Sequence, residues 1–288
     1  MWVSKYLAGG SPFKSMIAKN ILIFTDFIRV LYKSRYMLRM MTLRELKATY
    51  VGSMFGFLWA VISPLAQLVI YGIVFGVFFK SKPDPAYGTD NYLIFLLCGL
   101  IPWQFFSQTV ASTTGSILSN SNLIKKSVGF RPEVLPIITV VSNIISHLIS
   151  VTLLLIVIIL YSGRIPLAAP VVIVYLFFVS LFLIGLGWIV SGINVFLRDI
   201  QQIVGLVLMG WMFLTPVFYS AGIIPAKVLW IMKLNPLYHF VDGYRYALLA
   251  GRSLPVVDFT YFAVSSVVMF GVGGMVFRKL KPWFAEVM

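Results

Sequence analysis

A chain of 288 residues that is 60% hydrophobic and only 11% charged, with a mean hydropathy of +0.94, carries less than half the roughly 25% charge of a soluble domain. That excludes a water-soluble globule and makes lipid the solvent. A net charge of +14 would point to nucleic acid in a soluble protein, but in a chain this apolar Lys and Arg gather in the loops on the cytoplasmic side of a membrane, so nucleic-acid binding is set aside. The single cysteine, Cys98, leaves no intrachain disulfide to form and reads as a small packing residue in an apolar run.

The first 50 residues are basic and patterned. Ile17, Ile21, Phe24, Ile28 and Leu31 recur at helical spacing, with Lys19, Asp26 and Lys33 on roughly the opposite side. A basic helix with one apolar face is expected to lie flat at the membrane surface. Its charges and the lack of a clean apolar core ahead of a small-residue site argue against a cleavable signal.

Six charge-free windows follow, at 48–79, 91–124, 134–163, 165–197, 200–226 and 259–277. About 20 apolar residues cross the hydrocarbon core, so each window predicts one transmembrane helix. The N-terminal basic residues, Lys125, Lys126, Arg131, Arg198, Arg278, Lys279 and Lys281 all fall on one side of that topology. The positive-inside rule puts this side, and both termini, in the cytoplasm. His147 is the one ionisable residue near the middle of a window. Beside Ser146 and Ser150 it reads as a neutral histidine hydrogen-bonded between helices, with a pore-lining role as the other option.

Between the fifth and sixth windows, residues 226–234 lie between Pro225 and Asn235–Pro236, and residues 237–250 run to Gly251. As helices these pieces would be about 14 and 21 Å long, too short to cross. Both are too apolar for a free loop. They predict a re-entrant hairpin dipping into the outer leaflet, where irregular backbone is tolerated only against protein or a water-filled cavity; the competing reading is two short helices lying on the outer surface. Asp242 and Arg245 stand three apart on its second piece and are expected to pair on one face. The expected fold is therefore all-α: six transmembrane helices, an N-terminal interface helix within residues 1–50, the hairpin between helices five and six, and one domain over 1–288.

The chain contains no phosphate-cradling G-x-x-x-x-G-K-[ST] loop. It contains no H-E-x-x-H and no His/Cys cluster. No acidic residue falls inside a window, which disfavours a proton-coupled carrier or an intramembrane protease. The expectation is a chain that is not an enzyme, holds no metal and binds no cofactor of its own.

Four runs in order carry a resemblance: LRELKATYVGSMFGFLWAVISPLAQLVIYGIVFG at 43–76, FLLCGLIPWQFF at 95–106, FLRDIQQIVGLVLMGWMFLTPVFY at 196–219, and IPAKVLWIMKLNPLYHFVDGYRYALLAG at 224–251. Together they resemble the permeases of type-2 ABC exporters, in the branch that exports O-antigen, capsule or teichoic-acid chains, over nearly the whole chain. The resemblance implies a homodimer that joins two copies of a separate ATPase subunit, which binds the ATP and Mg. It implies an undecaprenyl-diphosphate-linked polysaccharide as cargo and a channel contributed mainly by helices one and five. It further implies that the loop between helices two and three docks into the ATPase.

Within that frame the channel candidates are Trp59, Ser63, Gln67, Tyr71 and Phe75 in the first window and Met209, Met212 and Pro216, with Gly205, in the fifth. Trp59, Ser63 and Gln67 share a face by their spacing of four. Tyr71, Phe75 and Phe78 form a neighbouring aromatic face on which sugar rings could stack; the competing reading of such aromatics is an interfacial belt. For the ATPase contact, Ser119–Asn120–Ser121 offers capping oxygens, Leu123 and Ile124 an exposed apolar ridge, and Lys125 and Lys126 a charged flank, with Phe130 beyond. Arg198 and Asp199 form a cytoplasmic turn, either a snorkelling Arg with a capping Asp or a second contact with the ATPase or lipid phosphate. Competing functions are export of a small hydrophobic molecule by the same architecture, a membrane glycosyl- or phosphotransferase, and a non-transporting scaffold.

Overall fold

The computed structural model describes residues 35–50, 53–71, 73–75, 83, 85–126, 130–163 and 166–288. The predicted interface helix through Ile17 and Leu31, together with Phe78, lies outside these residues. In chain order the principal helices are α1 (Arg35–Tyr50), α2 (Trp59–Tyr71), α3 (Tyr92–Ser119), α4 (Ser121–Lys126), α5 (Val134–Ser162), α6 (Val171–Phe196), α7 (Ile200–Phe213), α8 (Ala226–Lys233), α9 (Pro236–Leu248), α10 (Val256–Leu280) and α11 (Phe284–Val287). No strand occurs among the described residues.

Among the described residues four helices, α3, α5, α6 and α10, are long and apolar enough to cross a membrane. The other two predicted spans are shorter. α7 has 14 residues, about 21 Å of helix, against the roughly 20 residues a full crossing takes. It ends where Thr215–Pro216 removes helical hydrogen bonding. α2 starts only after a turn in which Gly56 has φ 48°, a conformation glycine adopts without strain, and it carries Pro64 inside.

α3 is the hub. Asn91 opens it by accepting from the Leu93 and Ile94 backbone N–H groups, and most of its residues are buried, its buried threonines bonding back to carbonyls of their own helix. It packs against α5, α6, α7 and α9. The most extensive helix pair is α6 with α10. There a Cβ added at Gly185 would lie 2.3 Å from the Met269 carbonyl oxygen, and one at Gly273 would lie 2.1 Å from that of Gly185. Without side chains at these two positions the backbones touch, which is how helices gain dispersion energy in lipid, where no hydrophobic drive separates helix from helix.

Two ends of this bundle are built differently. At one end α1 packs on α5, α4 follows α3, and the short helix α11 folds back so that Phe284 is buried beside Ile117, Ile137, Trp188, Val195 and Phe277. At the other end the predicted break at Asn235–Pro236 is present. The Asn235 side chain accepts from the Leu237 N–H, with Pro236 at the first helical position, and separates exposed α8 from α9, which is buried almost throughout against α3, α6 and α10.

Candidate functional site

The expected channel face of α2 is split. Trp59 and Ser63 are exposed. Gln67 instead turns inward, where its Oε1 accepts from Gln104 Nε2 at 2.5 Å. Both side chains sit in a cleft lined also by Pro64, Leu97, Ile101, Ser150 and Leu154. Tyr71 and Phe75 are half-buried and form an aromatic cluster with Phe218 and Tyr92; Phe75 stacks on Phe218 with centroids 5.8 Å apart and planes 25° apart. The reason is geometric: each step of four residues rotates a position by about 40° around the axis, so the row from Trp59 to Tyr71 winds from the outside to the inside of the bundle.

The same drift acts on α7. Gly205 and Met209 are exposed, Met212 is half-buried and Pro216 is buried. Only Val204 and Leu208 of α7 are buried, while Gln201, Gln202, Ile203, Leu206, Val207, Gly210 and Phe213 are exposed. A Cβ at Gly205 or Gly210 would meet nothing within 4 Å. Gln201, although exposed, donates from Nε2 to the Ala111 carbonyl on α3 at 3.2 Å, so this helix presents Gln202, two glycines and an apolar face outward on one chain.

The non-helical stretch after α7 is held by side chains from elsewhere. Asp242 and Arg245 do not pair with each other, contrary to the expectation from their spacing. Asp242 accepts from the Tyr87 hydroxyl, and Arg245 donates from Nη1 to the Pro216 carbonyl at 2.6 Å and from Nη2 to the Val217 carbonyl at 2.7 Å. Arg245 is completely buried, with its guanidinium carbon 3.8 Å from the centre of the Phe95 ring. Spacing along a helix put both groups on one side, but at full burial the bare carbonyls of a broken helix end are the nearer acceptors. Asn235 joins the same stretch through Trp211, whose Nε1 donates to its Oδ1 at 3.0 Å. Tyr87, Tyr92 and Gly99 are functional neighbours that the sequence pattern did not single out.

His147 occupies the structural role set out from the sequence. Its Nε2 lies 2.7 Å from the Tyr244 hydroxyl, both residues are buried, and its ring stacks on Phe105 with centroids 4.5 Å apart. The partner comes from α9 rather than from the adjacent serines.

At the opposite end the expected apolar ridge of α4 is only half available. Leu123 is half-buried. Ile124 packs back onto the chain's own clusters with Leu38, Val134, Leu135, Ile138 and Phe284, and Phe130 packs with the same Val134 group. Asn120 does not cap α4 with its side chain; its Nδ2 donates to the Ser116 carbonyl at 2.9 Å and so closes α3 instead. Lys125 is exposed and its Nζ donates to the Met288 carbonyl. The side chain of Lys126 lies outside the described residues. Arg198 and Asp199 are exposed, and Asp199 makes no side-chain cap bond to α7, so the capping reading fails for it.

Glu133 ties this end together. Its carboxylate pairs with Lys281 at 2.8 Å and its backbone carbonyl accepts from Trp188 Nε1 at 2.9 Å. On α1, Glu45 accepts from the Thr139 hydroxyl at 2.9 Å, and burial pushes its carboxyl above the ordinary range while that hydrogen bond pulls it down. No group of three or more His, Cys, Asp or Glu residues that could hold a metal occurs among the described residues.

Among the described residues this arrangement is a helical membrane scaffold with two incompletely covered helices and a polar end. Comparison with known proteins agrees with it. Residues 36–249 match the family model described as ABC-2 type transporter. The O-antigen export system permease protein RfbA of Klebsiella pneumoniae is 30% identical over 273 residues, covering 91% of this chain and 99% of its own length. Its namesake from Myxococcus xanthus is 32% identical over 263 residues, covering 90% of this chain and 98% of its own. The polysialic acid transport protein KpsM of Escherichia coli is 26% identical over 243 residues, covering 82% and 90%. The chain belongs to the ABC-2 type transporter family.

Proposed function

We propose that this chain is the permease subunit of an ABC exporter that carries undecaprenyl-diphosphate-linked, O-antigen-type polysaccharide across the cytoplasmic membrane. Two copies form the channel and two copies of a separate ATPase, which holds ATP and Mg, drive it. Six segments cross the membrane, counting α2 and α7 with their flanking residues. Both termini lie in the cytoplasm, and α8–α9 form the re-entrant hairpin on the outer side. Similarity to O-antigen export permeases along almost the whole chain supports the cargo class. Similarity to a polysialic acid transport protein favours a capsule-type polymer as the second reading.

The observation that carries the mechanism is the open face of α7. An exposed helix with Gln202 and two glycines open to the outside is poorly suited to lipid, because polar side chains on a membrane helix favour protein or water. A second copy facing it would enclose a lumen between the two α7 and α2 faces. Trp59 and Ser63 would then line that lumen, with Met209 as an adaptable contact for an irregular polymer, while Gln67 and Tyr71 support the wall from behind. The α4 region, with Leu123, Lys125 and Lys126, and the Arg198–Asp199 turn face the ATPase.

Cysteine scanning tests this in a Cys98→Ala background, with the permease assembled with its ATPase. Cysteines at positions 59, 63, 205 and 209 should react with a water-soluble thiol reagent, and position 67 should react slowly. If all four outward positions stay inert in the assembled complex, the lumen is made of other residues and the channel assignment fails.

A further inference from the structure

The outer end of α7 is a backbone problem solved by three side chains, of which Arg245 takes two adjacent carbonyls. Helix ends leave carbonyls without intrahelical partners, and in an apolar setting each unsatisfied one is costly. Here five successive residues after Phe213 each receive a side-chain donor. Asn235 Nδ2 lies 3.3 Å from the Leu214 carbonyl and 2.9 Å from the Thr215 hydroxyl oxygen. Arg245 takes the Pro216 and Val217 carbonyls, and the Tyr92 hydroxyl donates to the Phe218 carbonyl.

Arg245 is the only one of these donors that carries a full charge, and among the described residues it makes no ion pair with a carboxylate within 4 Å. A guanidinium presents its N–H groups in a rigid planar fork, which lets two adjacent carbonyls be held in one fixed geometry; an ammonium at the same depth is a point charge without that directionality. The fork needs room, and Gly99 on α3 supplies it. A Cβ there would lie 2.6 Å from Arg245 Nη2 and 2.9 Å from the Val217 carbonyl oxygen. Three parts of the chain, α3, α9 and the stretch after α7, therefore meet at one hydrogen-bonded point that tolerates no extra carbon.

We infer that Arg245, seated against Gly99, is a positioning residue for transport: it fixes the outer end of α7, and with it the outlet of the export path, to the hairpin helix α9. The inference rests on α7 being a channel wall. Without the fork, residues 216 and 217 lose their tether and the outlet is no longer held at one width, although the bundle of α3, α5, α6 and α10 does not depend on it.

The test uses the full permease–ATPase complex with Arg245→Gln, Arg245→Lys and Gly99→Ala, each examined for co-purification, ATP hydrolysis, export, and leak of a small charged dye from proteoliposomes without ATP. The expected result is that Arg245→Gln co-purifies and hydrolyses ATP, exports on the order of tenfold more slowly, as loss of one hydrogen bond to a charged group would give, and leaks dye. Arg245→Lys should recover only part of the export, because it keeps the charge but not the fork. Gly99→Ala should reproduce both defects with the arginine intact. Tight vesicles with native export in Arg245→Gln and Gly99→Ala would overturn the inference. So would loss of assembly in all three variants, which would make the contact a folding requirement rather than a setting of the outlet. Failure of thiol labelling at positions 59, 63, 205 and 209 would instead strike the channel reading itself. Labelling there, with tight and active Arg245 and Gly99 variants, removes the positioning role alone.

Discussion

The contact between His147 and Tyr244 separates a structural from a lumenal reading of the one ionisable side chain at mid-helix. His147→Phe removes both ring nitrogens but keeps a flat ring over Phe105, whose centroid is 4.5 Å away. Tyr244→Phe removes one hydroxyl from a fully buried position. Orphaning a buried partner costs about 1–3 kcal/mol in soluble proteins. Between membrane helices such bonds average about 0.6 kcal/mol and reach about 1.7, because the inserted but unpacked helices find other partners. At 2.7 Å, with neither group open to solvent, this pair belongs in the upper part of the membrane range. Each single variant should lose about 1 kcal/mol, and the double variant should lose less than the sum by a coupling of about 1 kcal/mol. Unfolding in mixed micelles with rising denaturing detergent measures all four corners of the cycle, and export by the reconstituted complex should remain close to native in the single variants. Additivity within about 0.3 kcal/mol would refute the bond as a stabilising contact. A His147→Phe variant of native stability that no longer exports would place the histidine on the transport path instead.

Gly273→Leu should abolish the folded permease, since its first added carbon would sit 2.1 Å from the Gly185 carbonyl oxygen and overpacking that backbone cannot relieve exceeds the usual range of about 1–3 kcal/mol; gel filtration in detergent reads the loss, and a monodisperse, thermally native variant would contradict the contact. Leu123→Asp and Ile124→Asp should behave differently: the Leu123 variant keeps the thermal midpoint and loses co-purification with the ATPase, whereas Ile124, equally half-buried but packed against Leu38, Val134 and Phe284, lowers the midpoint by bringing a charge to the edge of that packing. Equal midpoints for the two would show that Ile124 is not part of the internal packing.

The long helices were legible because lipid makes composition and length decisive. The windows 91–124, 134–163 and 165–197 contain Tyr92–Ser119, Val134–Ser162 and Val171–Phe196, and the sixth window was extended at both ends to Val256–Leu280, past the charges of Asp258 and Arg278 that had delimited it. The break between α8 and α9 was legible too, since Asn–Pro is both a cap and a stop. Depth was not. Asp242 and Arg245 were correctly put on one helix, yet the partners they use, Tyr87 and the Pro216–Val217 backbone, are distant in sequence, and nothing in an i, i+3 spacing says whether a face looks to water or to a broken helix. The one available signal was an arginine in an otherwise buried, aromatic-rich helix next to a neighbouring helix end with Pro216 in it. Ile124 misled for the opposite reason: an apolar residue on a short capped helix reads as a ridge for a partner until α1 and α11 are found covering it. Gln67 was drawn onto the face of Trp59 and Ser63 by counting in fours, which ignores the rotation that accumulates over two turns.

The uneven burial has a mechanical consequence. α3 is enclosed by α5, α6, α7 and α9, and α6 meets α10 with no side chain between their backbones at Gly185 and Gly273; such contacts are bistable at best and do not deform gradually. α2 and α7 are attached differently. α7 buries only Val204 and Leu208 along its length and is pinned at its end by Arg245 and Asn235. α2 is held by the Gln67–Gln104 bond and by the aromatic cluster of Tyr71, Phe75 and Phe218. Segments with few buried apolar contacts open at lower free energy than the core they lie on. If two copies pair as proposed, widening between them would be taken up by α2 and by α7 pivoting about the end that Arg245 and Asn235 hold, rather than by rearrangement of the four long helices. Hydrogen bonds at discrete points suit that motion better than a continuous apolar seam, because a few directional contacts can be exchanged one at a time while a packed seam must be broken as a whole.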